Sequence, residues 1–186
     1  EALPAHHTAA VPAATVFTVS NNNYGIDFIH HENDFVDFDR DRLIYHMLST
    51  SGPRIAKGDV NNDGLEDLYI CGAKDQAGAL YVQTSNGHFV RTNEALLEKD
   101  KVCEDTDALF FDADGDGDAD MVIGNQAGAL RYFENTGSAT NPDFVERGGV
   151  DNPFDGIDAG EYSAPALADI DGDGDLDLTV SEIDPG

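Results

Sequence analysis

One acidic motif occurs three times in this sequence and constrains its fold more than any other feature. Each copy fits the pattern D-x-[DN]-x-D-G-x-x-D, and the copies are DVNNDGLED (Asp59 to Asp67, loop 1), DADGDGDAD (Asp112 to Asp120, loop 2) and DIDGDGDLD (Asp169 to Asp177, loop 3). Their starting positions lie 53 and 57 residues apart. A period of this length is typical of propeller blades and similar repeat arrays.

The sequence around each loop repeats as well. A short apolar segment precedes and follows every copy, and AGALYVQTSNGHFV (77–90) matches AGALRYFENTGSATNPDFV (127–145). A full unit therefore predicts four short strands, with the acidic loop joining the first two and a turn rich in Gly, Ser or Asn joining the last two. We predict an all-β chain of four-stranded, propeller-type blades in which each acidic loop is a hairpin loop.

The repeats also predict how the chain is divided. Residues 1–14 form an Ala/Pro-rich flexible lead, 15–52 hold N-terminal strands and a loop, 53–105 are a first blade, 106–162 a second, and 163–186 the start of a third. A closed propeller typically needs 4–8 blades, whereas this chain has about two and a half. We expect a segment of a larger propeller or an incomplete array, whose open blade edges favour self-association.

Three further segments carry local predictions. ATVFTVS (14–20) and YGIDFIH (24–30) are strand candidates, and TNEALLEK (92–99) predicts a short helix with Asn93 near its N-cap. The segment DRDRLIYHMLS (39–49) fits a helix and an extended conformation equally well.

The spacing of the aspartates predicts a calcium site in each loop. Calcium takes 6–8 oxygen ligands in a flexible shell, and side chains at positions 1, 3, 5 and 9 can converge with the carbonyl of position 7. A glycine at position 6 allows the sharp turn. The predicted ligands, up to three ions in all, are Asp59, Asn61, Asp63, Leu65 and Asp67; Asp112, Asp114, Asp116, Asp118 and Asp120; and Asp169, Asp171, Asp173, Asp175 and Asp177. At position 7 the carbonyl is the ligand, so the side chains of Asp118 and Asp175 should point to solvent.

EF-hands, solvated turns and magnesium sites all fit the motif less well than calcium-binding hairpins do. An EF-hand needs a bidentate Glu at position 12, and this position is Ile70, Ile123 or Val180 here. Solvated turn residues would account for one such loop more readily than for three in the same place. Magnesium requires stricter octahedral geometry than these loops suggest.

Charge excludes two classes of partner. The chain has 37 acidic and 10 basic side chains, for a formal net charge of -27. Such a field repels nucleic acid and anionic lipid. No apolar stretch approaches the roughly 18 residues that a membrane-spanning helix needs, so we expect no membrane insertion.

The loops with their flanking strands resemble FG-GAP/VCBS repeats, the calcium-binding blades of integrin α-type propellers. The resemblance covers roughly residues 53–182, and residues 25–73 are similar to the N-terminal part of cartilage acidic protein-like (ASPIC/UnbV-type) proteins. It implies a secreted or cell-surface, non-enzymatic scaffold that binds a protein or glycan. The alternatives are a non-catalytic propeller part of a larger secreted enzyme, such as a polysaccharide lyase or a surface phospholipase, and a purely structural spacer.

Two smaller features leave alternatives open. HHEND (30–34) lacks the spacing of a zinc protease motif, so a surface loop is favoured over a transition-metal site. Cys71 and Cys103 are either one disulfide or two free, half-buried thiols.

Overall fold

The fold is built from short strands in three antiparallel sheets. The structure is a computed structural model, and it describes residues 19–34, 36–40, 42, 52–138 and 141–182. The first sheet contains β1 (Ile55–Gly58), β2 (Asp67–Ile70), β3 (Ala79–Gln83) and β4 (Phe89–Thr92). The second contains β5 (Asp105–Phe111), β6 (Asp120–Asn125), β7 (Leu130–Asn135) and β8 (Phe144–Arg147), and the third contains β9 (Ala164–Ala168) and β10 (Asp177–Ser181).

The order of the strands confirms the predicted all-β class and the four-stranded unit. Strands β1 to β4 and β5 to β8 each pair with their neighbours in chain order, and β9 pairs with β10. The acidic loops join β1 to β2, β5 to β6 and β9 to β10, while the turns rich in Asn, Gly and Ser join the third strand to the fourth. Two complete sheets and a two-stranded third agree with a partial propeller.

Apolar side chains hold the three sheets against one another. One cluster joins the first and second sheets around Tyr69, Leu80, Ile123 and Phe133, which are all fully or almost fully buried. A second cluster, around Val122 and neighbouring residues, joins the second sheet to the third. Every residue of β6 is buried because both faces of its sheet are covered. This explains why its sequence continues as the apolar run Met-Val-Ile directly after the acidic loop.

A polar contact repeats where one sheet meets the next. The Asp105 carboxylate, at the start of β5, accepts the hydroxyl proton of Tyr69 at 2.7 Å and the backbone N–H of Gly72 at 2.8 Å. The Ser163 hydroxyl oxygen, just before β9, accepts the backbone N–H of Asn125 at 3.0 Å. Each contact joins the first strand of one unit to the end of the second strand of the unit before it.

Residues 24–30 were predicted as a strand, and the structure shows no strand there. Ile26 and Phe28 do pack on the outer face of the first sheet, as an alternating pattern requires. The side-chain amide of Gln76, however, takes the place of a strand partner: it donates to the carbonyl of Ile29 at 2.7 Å and accepts the N–H of His31 at 2.8 Å. The Tyr81 hydroxyl similarly donates to Asp27 at 2.5 Å. One backbone bond links the segment to the sheet, from the N–H of Phe89 in β4 to the Tyr24 carbonyl at 2.7 Å, and the rest of the segment covers the sheet without forming a strand.

The described helices are single turns. α1 spans Asp37–Arg40, and α2 spans Glu94–Leu97 with Asn93 as its N-cap residue, which confirms the short helix predicted there. Most of 14–20 and 39–49, for which strand and helix were considered, and the whole predicted lead at 1–14 lie outside the described residues. In the part of the chain that the structure describes, no helix has the length and apolarity needed to cross a membrane.

Candidate metal centres

All three acidic loops have the same pattern of hydrogen bonds. At position 1, one carboxylate oxygen accepts the N–H of the glycine at position 6, at 2.8 Å from Gly64, 3.1 Å from Gly117 and 3.2 Å from Gly174. The residue at position 3 accepts the N–H of position 5 at 3.1–3.3 Å. The aspartate at position 5 accepts the N–H of position 7 at 2.8–3.0 Å.

This pattern orients the predicted ligands. Each ionised carboxylate has two oxygens and about four lone-pair directions, so one or two backbone bonds can fix the group and still leave it able to bind a cation. The turns depend on backbone that few residues adopt, because φ is +82° at Gly64, +92° at Gly117 and +98° at Gly174. The predicted reason for a glycine at position 6 is therefore correct.

The aspartate at position 9 closes each loop. One oxygen of Asp67, Asp120 and Asp177 accepts the N–H of position 2 at 2.9 Å in every case. In the first two, the other oxygen accepts a backbone N–H at the end of the third strand, from Gln83 at 2.7 Å and Asn135 at 2.8 Å. The sequence predicted position 9 as a calcium ligand. It did not predict that this aspartate also connects the loop to the third strand in the first two units.

Burial shapes the electrostatics of position 9. Asp67 is fully buried and Asp120 is almost so, whereas Asp177 is half-buried. Desolvation raises the pKa of Asp67 and of Asp120 above the ordinary value, against the backbone hydrogen bonds that lower it. The negative charges of neighbouring aspartates in the same loop also raise both pKa values. A nearby cation would favour the ionised form of both carboxylates.

Two of the loops bring three carboxylates together. The oxygens of Asp112, Asp114 and Asp116 lie within 4.8 Å of one another, and so do those of Asp169, Asp171 and Asp177. In loop 1, position 3 is an amide: Asn61 donates to Asp63 at 3.1 Å, and its oxygen faces the Asp63 N–H at 3.3 Å. Among the described residues, convergence of three acidic ligands is therefore a feature of loops 2 and 3.

Loops 2 and 3 gather different members of the predicted set. In loop 2, Asp120 is turned toward the backbone and the hydroxyl of Tyr132, which donates to it at 3.0 Å. In loop 3, the position 9 aspartate is one of the three converging residues and Asp173 is not. An all-oxygen donor set of this kind suits a hard cation such as Ca²⁺, since such an ion tolerates flexible and irregular shells.

The two aspartates at position 7 have different surroundings. Asp175 is exposed, as predicted. Asp118 is half-buried and its carboxylate accepts a hydrogen bond from the side chain of Asn62 at 2.8 Å, so the prediction that it points to solvent is wrong. The reason is that loop 1 lies beside it, which a local motif does not reveal.

The HHEND segment and the two cysteines were further candidates, for a transition-metal site and for a disulfide. His30 pairs with Glu32, with 2.7 Å between Nε2 and Oε1, and His31 is exposed. In the described ranges no third metal ligand joins them. Cys71 is buried, Cys103 is half-buried, and both are free thiols, so the disulfide alternative is not found.

Comparison with known proteins supplies the family. A model of the FG-GAP-like repeat matches the chain twice, at residues 59–122 and 112–180. Each match begins at position 1 of an acidic loop and runs through the next loop into the strand beyond it. Together the two matches cover about two thirds of the sequence. No curated protein and no solved structure matches the chain. The chain therefore belongs to the FG-GAP-like repeat family.

Proposed function

We propose that this chain is a calcium-binding scaffold segment, with Ca²⁺ in up to three hairpin loops. The observation that supports it is the shared hydrogen-bond pattern, in which positions 1, 3, 5 and 9 are fixed by backbone N–H groups in all three loops. Solvated turn residues would not need the same orientation in three places 53 and 57 residues apart.

Calcium acts here as a structural cofactor. Five aspartates lie between Asp112 and Asp120, and the chain has a formal charge of -27, so the loops concentrate electrostatic repulsion. An ion in each loop neutralises the clustered carboxylates, and its binding free energy adds to the stability of the folded state. The loops then hold the first two strands of each unit together.

The scaffold presents a binding surface on a secreted or cell-surface protein. The proposed partner is a protein or a glycan, and the segment itself performs no catalysis. Membership of the FG-GAP-like repeat family and the partial propeller support a scaffold role. We also propose that the similarity of residues 25–73 to cartilage acidic protein-like (ASPIC/UnbV-type) proteins reflects a shared N-terminal arrangement.

Thermal unfolding with and without calcium tests the proposal. A site filled at a hundredfold excess over its Kd adds about 2.7 kcal/mol, or roughly 5 to 10 °C in Tm for a chain of this size. Asp177→Asn should reduce the rise, because its carboxylate is a predicted ligand and one of the three that converge in loop 3. Asp175→Asn is the matched control, since this exposed side chain, two residues away, is not expected to bind the ion. The same Tm in calcium and in chelator would reject calcium binding.

A further inference from the structure

Loops 1 and 2 are joined by one side chain. The amide nitrogen of Asn62, at position 4 of loop 1, donates to the carbonyl of Gly117 at 3.0 Å and to the carboxylate of Asp118 at 2.8 Å. The acceptors are 55 and 56 residues away along the chain, in the neighbouring unit. Asn62 thus holds the peptide and the side chain of the position 7 residue of loop 2.

Asn62 lies between two predicted ligands of its own loop. Asn61 and Asp63 flank it, and its φ of +52° fixes the direction in which its side chain leaves the backbone. The Asp63 N–H is bonded to Asp59 at 3.2 Å and faces Asn61 at 3.3 Å. An ion that orders Asn61 and Asp63 therefore also orders Asn62, and with it the Gly117 carbonyl and the Asp118 carboxylate, which lie next to the Asp118 carbonyl predicted as a ligand of loop 2.

The corresponding position in the other loops has no side chain. Position 4 is Gly115 in loop 2 and Gly172 in loop 3, with φ of +79° and +80°. Loop 2 therefore cannot contact loop 3 in the way that loop 1 contacts loop 2. Loop 1 also differs inside the loop, because the second oxygen of its position 1 aspartate accepts the N–H of position 5, whereas in loops 2 and 3 it accepts the N–H of position 4.

We propose that Asn62 couples the cation sites of loops 1 and 2, so that an ion in one raises the affinity of the other, while loop 3 binds independently. The inference rests on the proposed calcium binding and adds a regulation of those sites. Coupling between sites is reciprocal, and it requires a physical connection that both sites bias. Two exposed hydrogen bonds, one of them to a charged group, correspond to about a three- to tenfold change in affinity.

The glycine at position 6 gives each loop its own reporter. The N–H groups of Gly64, Gly117 and Gly174 are bonded to the position 1 aspartates, so their ¹H–¹⁵N resonances should follow the filling of loops 1, 2 and 3 separately. A calcium titration of the full chain then yields three midpoints in one experiment. This readout does not depend on any activity of the protein.

A double-mutant cycle isolates the coupling. Asp63→Asn weakens loop 1, and Asn62→Gly removes the connection while giving loop 1 the residue that loops 2 and 3 have at position 4. In the wild-type background, Asp63→Asn should raise the Gly117 midpoint about three- to tenfold and leave the Gly174 midpoint unchanged. In the Asn62→Gly background, its effect on the Gly117 midpoint should be smaller by that factor, and the Gly174 midpoint should again not change. Through-space charge effects are the same in both backgrounds and cancel.

The outcomes separate the two proposals. If Asp63→Asn shifts the Gly117 midpoint equally in both backgrounds, or in neither, the coupling through Asn62 is overturned while calcium binding stands. If none of the three glycine resonances responds to calcium, the proposed function fails and the coupling fails with it. Unchanged resonances away from the loops verify that each variant is folded, and Asp59→Asn provides a second way to weaken loop 1.

Discussion

The buried carboxylate of Asp105 should make the stability of this protein fall as the pH rises. Asp105 joins the first two sheets and is 9% exposed. Desolvation by burial raises its pKa from 3.8 to about 6, against the lowering effect of its bonds from Gly72 and Tyr69. Between these two values the folded protein holds a proton that the unfolded chain has released. Folded protein therefore binds more protons, and its free energy of unfolding decreases as the pH increases.

The size of this effect follows from the pKa shift. A shift from 3.8 to about 6, at roughly 1.4 kcal/mol per pH unit, corresponds to about 3 kcal/mol at neutral pH. Roughly 2 to 3 kcal/mol of it falls between pH 4 and pH 7. Asp105→Asn removes the titration and keeps an oxygen that can accept from Tyr69 and Gly72. The variant should therefore gain that amount of stability relative to wild type across this range.

The assay is denaturant unfolding of both proteins at several pH values in saturating calcium chloride. Calcium binding and the titration of the other acidic groups contribute equally to the free energy of unfolding of both proteins. These contributions cancel in the difference between variant and wild type. Asp107→Asn, half-buried on the same strand, controls for the loss of one negative charge. A difference between Asp105→Asn and wild type that stays flat from pH 4 to pH 7 would refute the reasoning, and so would a slope shared by Asp107→Asn.

Two further substitutions test the packing. Phe133→Ala removes a fully buried ring between the first two sheets and should cost about 3 to 5 kcal/mol in denaturant unfolding, against less than about 0.5 kcal/mol for the half-exposed Val90→Ala; similar losses would contradict the assignment of the core. Tyr81→Phe removes the hydroxyl that lowers the pKa of Asp27, so this pKa should move up toward 3.8 in a carboxyl NMR titration, and an unchanged value would exclude the contact as its cause.

Local patterns were sufficient to predict the repeated unit. The acidic loop and the Asn/Gly/Ser turn are each contained within a few residues, and the strands they join are adjacent in sequence. The four-stranded order β1 to β4 and β5 to β8 follows directly from that arrangement. The glycine at position 6 was also predictable, because its φ is a property of the turn itself.

Contacts between units could not be predicted in this way. The burial of Asp105 arises only when the second sheet packs on Gly72, and the bonds of Asn62 reach a loop 55 residues away. The segment 24–30 is a second case in which contacts with residues far along the chain decide the structure. Alternation places Ile26 and Phe28 correctly against the sheet, yet it does not distinguish a strand from a segment held by the side chains of Gln76 and Tyr81.

Counting the calcium ions bound to each chain tests the central claim most directly. Equilibrium dialysis of the wild type should give up to three ions per chain, and Asp59→Ala, Asp112→Ala and Asp169→Ala should each lower that number by one where the substituted loop binds an ion. Position 1 is the right place for the substitution, because its carboxylate contacts the glycine turn in every loop. A chain that binds no calcium, or binds the same number after each substitution, would contradict the assignment of the loops as calcium sites.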